Sequence, residues 1–283
     1  GARGPAGPQG PAGPAAAAAP AALPEYAGDF VLEIAGEDVR INKVAGCSTP
    51  RFAEQPLDCR FTVAGVPPKV VLDWINESLQ RSALPRDIGV VAIDFNLNKR
   101  QRAALLVAEL TRVQLPTLDA STRAVAGLEL TVRAEEIKQE AATGRANLGT
   151  TASKSLLASN FQATLDGVAL NRVAEIRGLV VNITPARFFG GALAPANVVP
   201  GVLTLSASPT DTLLRPWVAD TVVGKPAREL EVTLLDSTLR DVLLKWTVID
   251  TVPLGEASPF AVGAAGTTGR IELDAQGERV TIN

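Results

Sequence analysis

The chain has 283 residues, and 46% of them are hydrophobic, so it is long enough for two domains that each build a core. Its 27 basic and 30 acidic residues give a formal net charge of −3, without the basic excess of a free-standing nucleic-acid binder. Histidine is absent, which excludes Ser-His-Asp and Cys-His mechanisms and every metal site built on histidine.

The first 15 residues have the Gly-X-Y period of collagen. Glycine recurs at every third position: Gly1, Gly4, Gly7, Gly10 and Gly13. Only glycine fits at the axis where three polyproline II chains meet, so we expect a collagen-like trimerisation segment at 1–15. A disordered Pro/Gly/Ala linker is the alternative. Residues 16–28 follow as an Ala/Pro-rich spacer. Because Gly1 is in frame with the repeat and methionine is absent, we expect the sequence to be processed, truncated or the ordered part of something longer.

Residues 29–137 have the pattern of a first β domain. Short runs in which apolar and polar residues alternate, such as Phe30–Ile34, are separated by turn residues. This pattern predicts an all-β barrel or sandwich with one flanking helix, at about Lys69–Gln80. The stretch Arg102–Arg112 has helical propensity, but its counterpart at 242–249 alternates and is β-branched, so we predict strands for both.

The two cysteines, Cys47 and Cys59, both fall in this first domain. Two thiols are too few for a structural zinc site. They can form a disulfide or remain two buried thiols, and we favour the thiols.

The second half repeats the spacing of the first. Matching positions occur in the same order: Gly46 and Gly178, Trp74 and Trp217, Arg86–Asp94 and Arg228–Asp236. This shared order predicts an internal duplication, with a linker at 138–158 and a second β domain at 159–283. The helix of that domain is predicted at about Thr210–Ala219, with Thr210 as its N-cap and Asp211 in its first turn.

The second copy also carries a series of short motifs. In chain order they are Glu175-Ile176-Arg177-Gly178-Leu179, a helix ending at Trp217, the charged strand Ala227–Asp236, and a strand with Trp246 that runs into Val252-Pro253. This order resembles the tail-tube family of contractile phages and related injection systems. The resemblance covers residues 160–255, and 29–135 more weakly, because Lys43–Cys47 replaces the Glu-x-x-Gly-Leu stretch. It implies a tube-like β-barrel domain with one flanking helix, whose hairpins join neighbours into a ring that lines a channel.

The number of chains in such a ring follows from the duplication. Rings of the tail-tube family are six-fold, so the resemblance implies that three chains with two domains each complete one ring. A collagen-like segment also needs three chains. Closed cyclic symmetry then predicts a homotrimer with pseudo-hexameric character.

Five residues are predicted to be structural anchors. We interpret Trp74, Trp217 and Trp246 as core or interface residues rather than ligand contacts. Gly46 and Gly178 are interpreted as turn glycines. No set of residues has the composition of a catalytic, cofactor-binding or metal-binding site, so we expect neither an enzyme nor a cofactor.

The sequence therefore predicts a structural subunit of a phage tail or contractile injection particle, located in a virion or an extracellular particle. Its expected partners are other copies of the chain, as homotrimers and stacked rings, and sheath, baseplate hub or spike proteins. No specific nucleic acid and no membrane span are expected. The alternative is a secreted or surface filament or adhesion protein with a collagen-like stalk.

Overall fold

The computed structural model describes residues 29–47, 57–149, 154–189, 192–194, 196–208, 211–214, 216–217, 227–254 and 271–283. The predicted collagen-like segment with its five glycines, and the spacer after it, lie outside the described residues.

The elements fall into two series along the chain. The first comprises β1 (Asp29–Ile34), β2 (Glu37–Ala45), β3 (Leu57–Ala64), the helix α1 (Lys69–Leu79), β4 (Arg86–Ile93), β5 (Lys99–Gln114), β6 (Leu118–Asp119), β7 (Val125–Ala134) and β8 (Glu136–Ala141). The second begins with β9 (Leu156–Leu157), β10 (Phe161–Leu165), β11 (Val168–Ala169), β12 (Val173–Arg177), β13 (Val180–Thr184), β14 (Arg187–Phe189), β15 (Ala192–Ala194), β16 (Asn197–Pro200) and β17 (Leu203–Ala207). It ends with β18 (Arg228–Leu235), β19 (Val242–Pro253), β20 (Ile271–Gln276) and β21 (Arg279–Ile282).

The first series forms a closed barrel of six antiparallel strands. Around the barrel, β1 pairs with β2, β2 with β3, β3 with β7, β7 with β5, β5 with β4, and β4 with β1 again. Leu32 and Phe61 are among the residues with no exposed surface in its core. The predicted all-β class is confirmed, and closure leaves the six strands without a free edge.

The segment Arg102–Arg112 lies in strand β5, as predicted from its counterpart in β19. β5 has strand neighbours on both sides: β4 and β8 along its first part, and β7 and β13 along its last part. Tertiary pairing therefore overrides the helical propensity of its alanines and leucines.

The second series has the same order of strand pairs. β10 pairs with β11 and β18, β18 with β19, β19 with β20, β20 with β17, and β17 with β12. In this series β11 pairs with β10 and β12 pairs with β17, whereas in the first series one strand, β2, pairs with both β1 and β3. An additional strand lies beside β5 and β19 alike, namely β8 and β21.

Both ends of the predicted linker, 138–158, are formed by strands in the structure. Residues up to Ala141 belong to β8, which pairs with β5, and Leu156–Leu157 form β9, which pairs with β7. Backbone hydrogen bonds hold these strands. The sequence of β8 is therefore polar because one side of the strand faces solvent, and not because the segment lacks regular structure.

The two series are joined into one body. β13 pairs with β5, β12 pairs with β6, and buried apolar residues from both series form one continuous cluster. Hairpin β13–β16 thus places two strands of the second series in the sheet of the first.

Cys47 and Cys59 form a disulfide, so our preference for free thiols is wrong. Cys47 follows the end of β2 and Cys59 lies in the neighbouring strand β3. Register across these two strands brings the sulfur atoms together, a relationship that sequence spacing alone does not contain.

Candidate assembly site

The three tryptophans lie in the core, each with 1% of its surface exposed. Trp74 belongs to α1 and Trp246 to β19, between β18 and β21. Trp217 has helical backbone, and its N–H donates to the carbonyl of Leu213. At this burial, no indole face is open to solvent.

Gly46 and Gly178 directly follow β2 and β12, and both have positive φ. Their φ angles are +74° and +87°, in the left-handed region that favours glycine. A Cβ on Gly46 would lie 2.5 Å from the carbonyl oxygen of Asp58, and one on Gly178 would lie 3.2 Å from that of Val202. Gly46 therefore permits a close approach to the neighbouring strand β3, and Gly178 permits one to the residue just before β17.

The second predicted helix, Thr210–Ala219, is described only in part. Leu214, Pro216 and Trp217 are helical, whereas Thr210 and Ala219 lie outside the described residues. The Oδ1 of Asp211 accepts hydrogen bonds from the N–H groups of Leu213 (2.9 Å) and Leu214 (3.0 Å). These contacts are of the kind that an N-cap side chain makes to the first turn of a helix.

Two hairpin tips are built in the same way. The β4–β5 tip begins at Asp94, whose Oδ1 accepts from the N–H groups of Asn96 and Asn98, both at 2.8 Å. The β18–β19 tip begins at Asp236, whose Oδ1 accepts from the N–H groups of Thr238 and Arg240, both at 3.1 Å. In each tip the leucine three residues after the aspartate has positive φ, +64° and +59°.

The hydrogen bonds favour the charged form of both aspartates. The pKa of Asp94 is lowered to about 2, first by the side chain and backbone of Asn98. The pKa of Asp236 is also lowered, first by the backbone N–H of Arg240. The carboxylates accept from several backbone N–H groups and so stabilise the turn conformation of both tips.

These hydrogen-bonded tips present apolar side chains to solvent. Phe95 is 97% exposed on the first tip and Leu239 is 57% exposed on the second. An exposed apolar residue on a rigid turn loses little entropy on contact with a partner. The spacing Arg86–Asp94 and Arg228–Asp236 was visible in the sequence, but the capping role of the aspartates was missed; Asp at the first position of a turn was the available signal.

A group of half-buried ion pairs lies on the side of the six-stranded barrel, here called the first barrel. Lys99 bridges Glu33 (2.7 Å) and Asp38 (2.9 Å), and the Nε of Arg102 donates to Glu33 (2.6 Å). Burial acts to raise the pKa of Glu33, but the hydrogen bonds from Lys99 and Arg102 outweigh it and lower the pKa. These charges neutralise one another, which gives them a structural role.

No group of three or more potential metal ligands occurs among the residues that the structure describes. Within the same residues, no helix has the length and apolar character needed to cross a bilayer.

No family model and no curated protein matches the chain. Among solved structures, the chain is similar to the cryo-EM structure of the anti-feeding prophage cap, described as the AFP tube terminating cap. The identity is 17% and the TM-score 0.38, over 48% of this chain and 95% of the cap protein.

Proposed function

We propose that this chain is a structural subunit of a phage tail or contractile injection particle and assembles as a homotrimer into a pseudo-hexameric ring. The observation that carries the proposal is the repeated order of strand pairs. It gives each chain two barrel-like units, the first unit from the first series of elements and the second unit from the second series. The motifs of the second unit that resemble the tail-tube family indicate the class of particle.

Internal duplication is part of the proposal, and details of the two units support it. In β5, Val107 has a φ of +52° where the register with β4 shifts; in β19, Asp250 has a φ of +55° where the register with β18 shifts. A bulge is a local feature of one position in a strand, so bulges at matching places in β5 and β19 support the duplication. The glycines Gly46 and Gly178 and the two aspartate-capped tips occupy matching places as well.

Neighbouring chains in the ring are proposed to contact each other in the same way as the two units of one chain do. There, β13 of the second unit adds to the end of β5 in the first, with Val181 opposite Val113. Strand addition is a common mode of protein association because backbone hydrogen bonds supply affinity. The tips that carry Phe95 and Leu239 are further candidate contacts, with other copies or with sheath, baseplate hub or spike proteins.

Mass photometry and negative-stain microscopy of the purified protein test this function. We expect particles of about 88 kDa, three times the chain mass of 29.5 kDa, and rings with six lobes. A species that stays monomeric at every concentration and forms no ring would contradict the proposal.

A further inference from the structure

A polar cleft of about 370 Å³ lies on the outer face of the first barrel, beside the hairpin from the second unit. One row of residues crosses its floor from strand to strand. Arg60 on β3 is opposite Thr131 on β7, Thr131 is opposite Arg112 on β5, and Arg112 is opposite Asn182 on β13. Residues Asn182–Pro185 line the side formed by the second unit.

The arginines that line this cleft differ in their partners. Arg133 is held by both oxygens of Asp58, at 2.9 and 3.2 Å. Arg60 approaches Glu129 only to 3.7 Å, and its side chain is 54% exposed. Arg112 donates from one terminal nitrogen to the neutral amide oxygen of Gln114, at 3.0 Å. Two positive charges of the cleft are thus only partly compensated.

Two buried polar atoms in the floor lack a partner among the described residues: Nε of Arg112 and Oγ1 of Thr131. Thr131 is only 9% exposed. A buried polar atom without a hydrogen bond is costly, and native structures contain few. Because Thr131 faces Arg112 across one pair of strands, the same small acceptor can satisfy both atoms.

The matching position in the second unit has its own acceptor. Gly46 lies against the carbonyl of Asp58, and Gly178 lies against that of Val202, which aligns Asp58 with Val202. Two residues further along each strand, Arg60 then corresponds to Thr204. Thr204 is opposite Asp274, as Arg60 is opposite Thr131. The Oγ1 of Thr204 donates to Oδ1 of Asp274 at 2.7 Å. The second unit therefore supplies a carboxylate where the first has a hydroxyl between two arginines.

We propose that this cleft binds a small oxyanion, with phosphate or carboxylate oxygens accepting from the Nε–H of Arg112 and the hydroxyl of Thr131. Guanidinium groups suit both oxyanions because their N–H donors match paired oxygens. Arg60 lies two strands away from Arg112, about 10 Å between the backbones, and its flexible, exposed side chain closes over the bound anion.

Thermal unfolding and calorimetry with two probes, inorganic phosphate and acetate, test the site. Chloride at equal ionic strength controls for screening of surface charge. We expect saturable binding of at least one probe, with a matching rise in the melting temperature of the wild-type chain. Arg112→Gln and Thr131→Val should each weaken binding about tenfold or more, because each removes a donor to the anion.

Two further variants keep the test sharp. Arg279→Gln removes a positive charge from an exposed residue elsewhere, so its affinity for the probe should stay that of the wild type. Arg112→Lys keeps the charge but loses the planar fork, and should bind at least several-fold more weakly than wild type. The stronger probe then identifies the anion class. The absence of saturable binding, or equal binding by wild type and Arg112→Gln, would overturn the proposal.

Discussion

Asn76 binds the backbone of Ile282 at both of its polar groups. The Oδ1 of Asn76 accepts from the N–H of Ile282 at 3.1 Å, and its Nδ2 donates to the carbonyl oxygen of the same residue. Asn76 lies in α1 of the first unit, whereas Ile282 lies in β21, the last strand of the second. One side chain thus connects segments 206 residues apart and covers the outer edge of β21.

Replacing Asn76 by Ala should destabilise the whole protein rather than α1 alone. The substitution leaves the N–H and C=O of Ile282 without their partner, and we expect a loss of about 1–3 kcal/mol in the free energy of unfolding. Urea denaturation followed by tryptophan fluorescence measures it. Gln80→Ala, at an exposed position just after the helix, is the control and should change stability by less than about 0.5 kcal/mol. Equal stability of both variants would contradict the structural role of Asn76.

Three glycines with positive φ should differ in their tolerance of alanine. Gly36→Ala meets no atom within 4 Å and should cost only the left-handed conformation, about 1–2 kcal/mol. Gly46→Ala should cost more, because its Cβ would lie 2.5 Å from the carbonyl oxygen of Asp58. Gly178→Ala, at 3.2 Å from the carbonyl of Val202, should fall between them. Chemical denaturation of the three variants gives the order, and a Gly36→Ala loss as large as that of Gly46→Ala would refute it.

Reduction of the disulfide should lower stability. The bond between Cys47 and Cys59 closes a short loop, with a sequence separation of 12, and constrains the unfolded chain. We expect a loss of about 2–3 kcal/mol on reduction, measured by guanidinium denaturation with and without a phosphine reductant. The double variant Cys47→Ala/Cys59→Ala should be insensitive to the reductant. If it responds as the wild type does, the reductant acts elsewhere.

Asp94 should make the first tip sensitive to acid. Its pKa is lowered from 3.8 to about 2 in the folded protein, so its stabilising contribution is complete above about pH 4. That contribution is lost as the pH falls through 2, where the folded-state carboxylate takes up its proton. Melting temperatures from pH 5 to 2 should fall less steeply for Asp94→Asn than for the wild type. Parallel pH profiles for the two proteins would contradict this assignment.

The tip residues should affect assembly without affecting folding. Phe95→Ser and Leu239→Ser replace exposed side chains, so the free energy of unfolding should change by less than about 0.5 kcal/mol. If the tips contact neighbouring subunits, each variant should shift the particle distribution in mass photometry toward single chains. Leu84→Ser is the matched control, since Leu84 is 76% exposed but belongs to neither tip. Wild-type assembly by both tip variants would exclude the tips as contacts.

Much of the fold could be predicted because it depends on local patterns. Alternation around Phe30–Ile34 predicts a strand regardless of its neighbours, and the counterpart at 242–249 resolved the ambiguity of β5. The positive φ of Gly46 and Gly178 follows from glycine at the end of an alternating run. These features depend on the residues themselves or on a comparison within the chain.

What could not be predicted depends on register and on distant partners. The disulfide requires the alignment of β2 with β3, and the contact between Asn76 and Ile282 requires the packing of α1 on β21. β8 has a polar sequence because one of its sides faces solvent, and its pairing with β5 uses backbone atoms that carry no sequence signal. The unpartnered atoms of Arg112 and Thr131 become visible only when both strands are in place.

The length of β5 has a mechanical consequence. Its 16 residues are bonded to β4 and β8 near the start and to β7 and β13 near the end. Hydrogen bonds between antiparallel strands run perpendicular to the strands, so a pull along β5 loads many of them at once in shear. Tension applied to hairpin β13–β16 is therefore shared by many hydrogen bonds in the wall of the first barrel. It does not break these hydrogen bonds one after another.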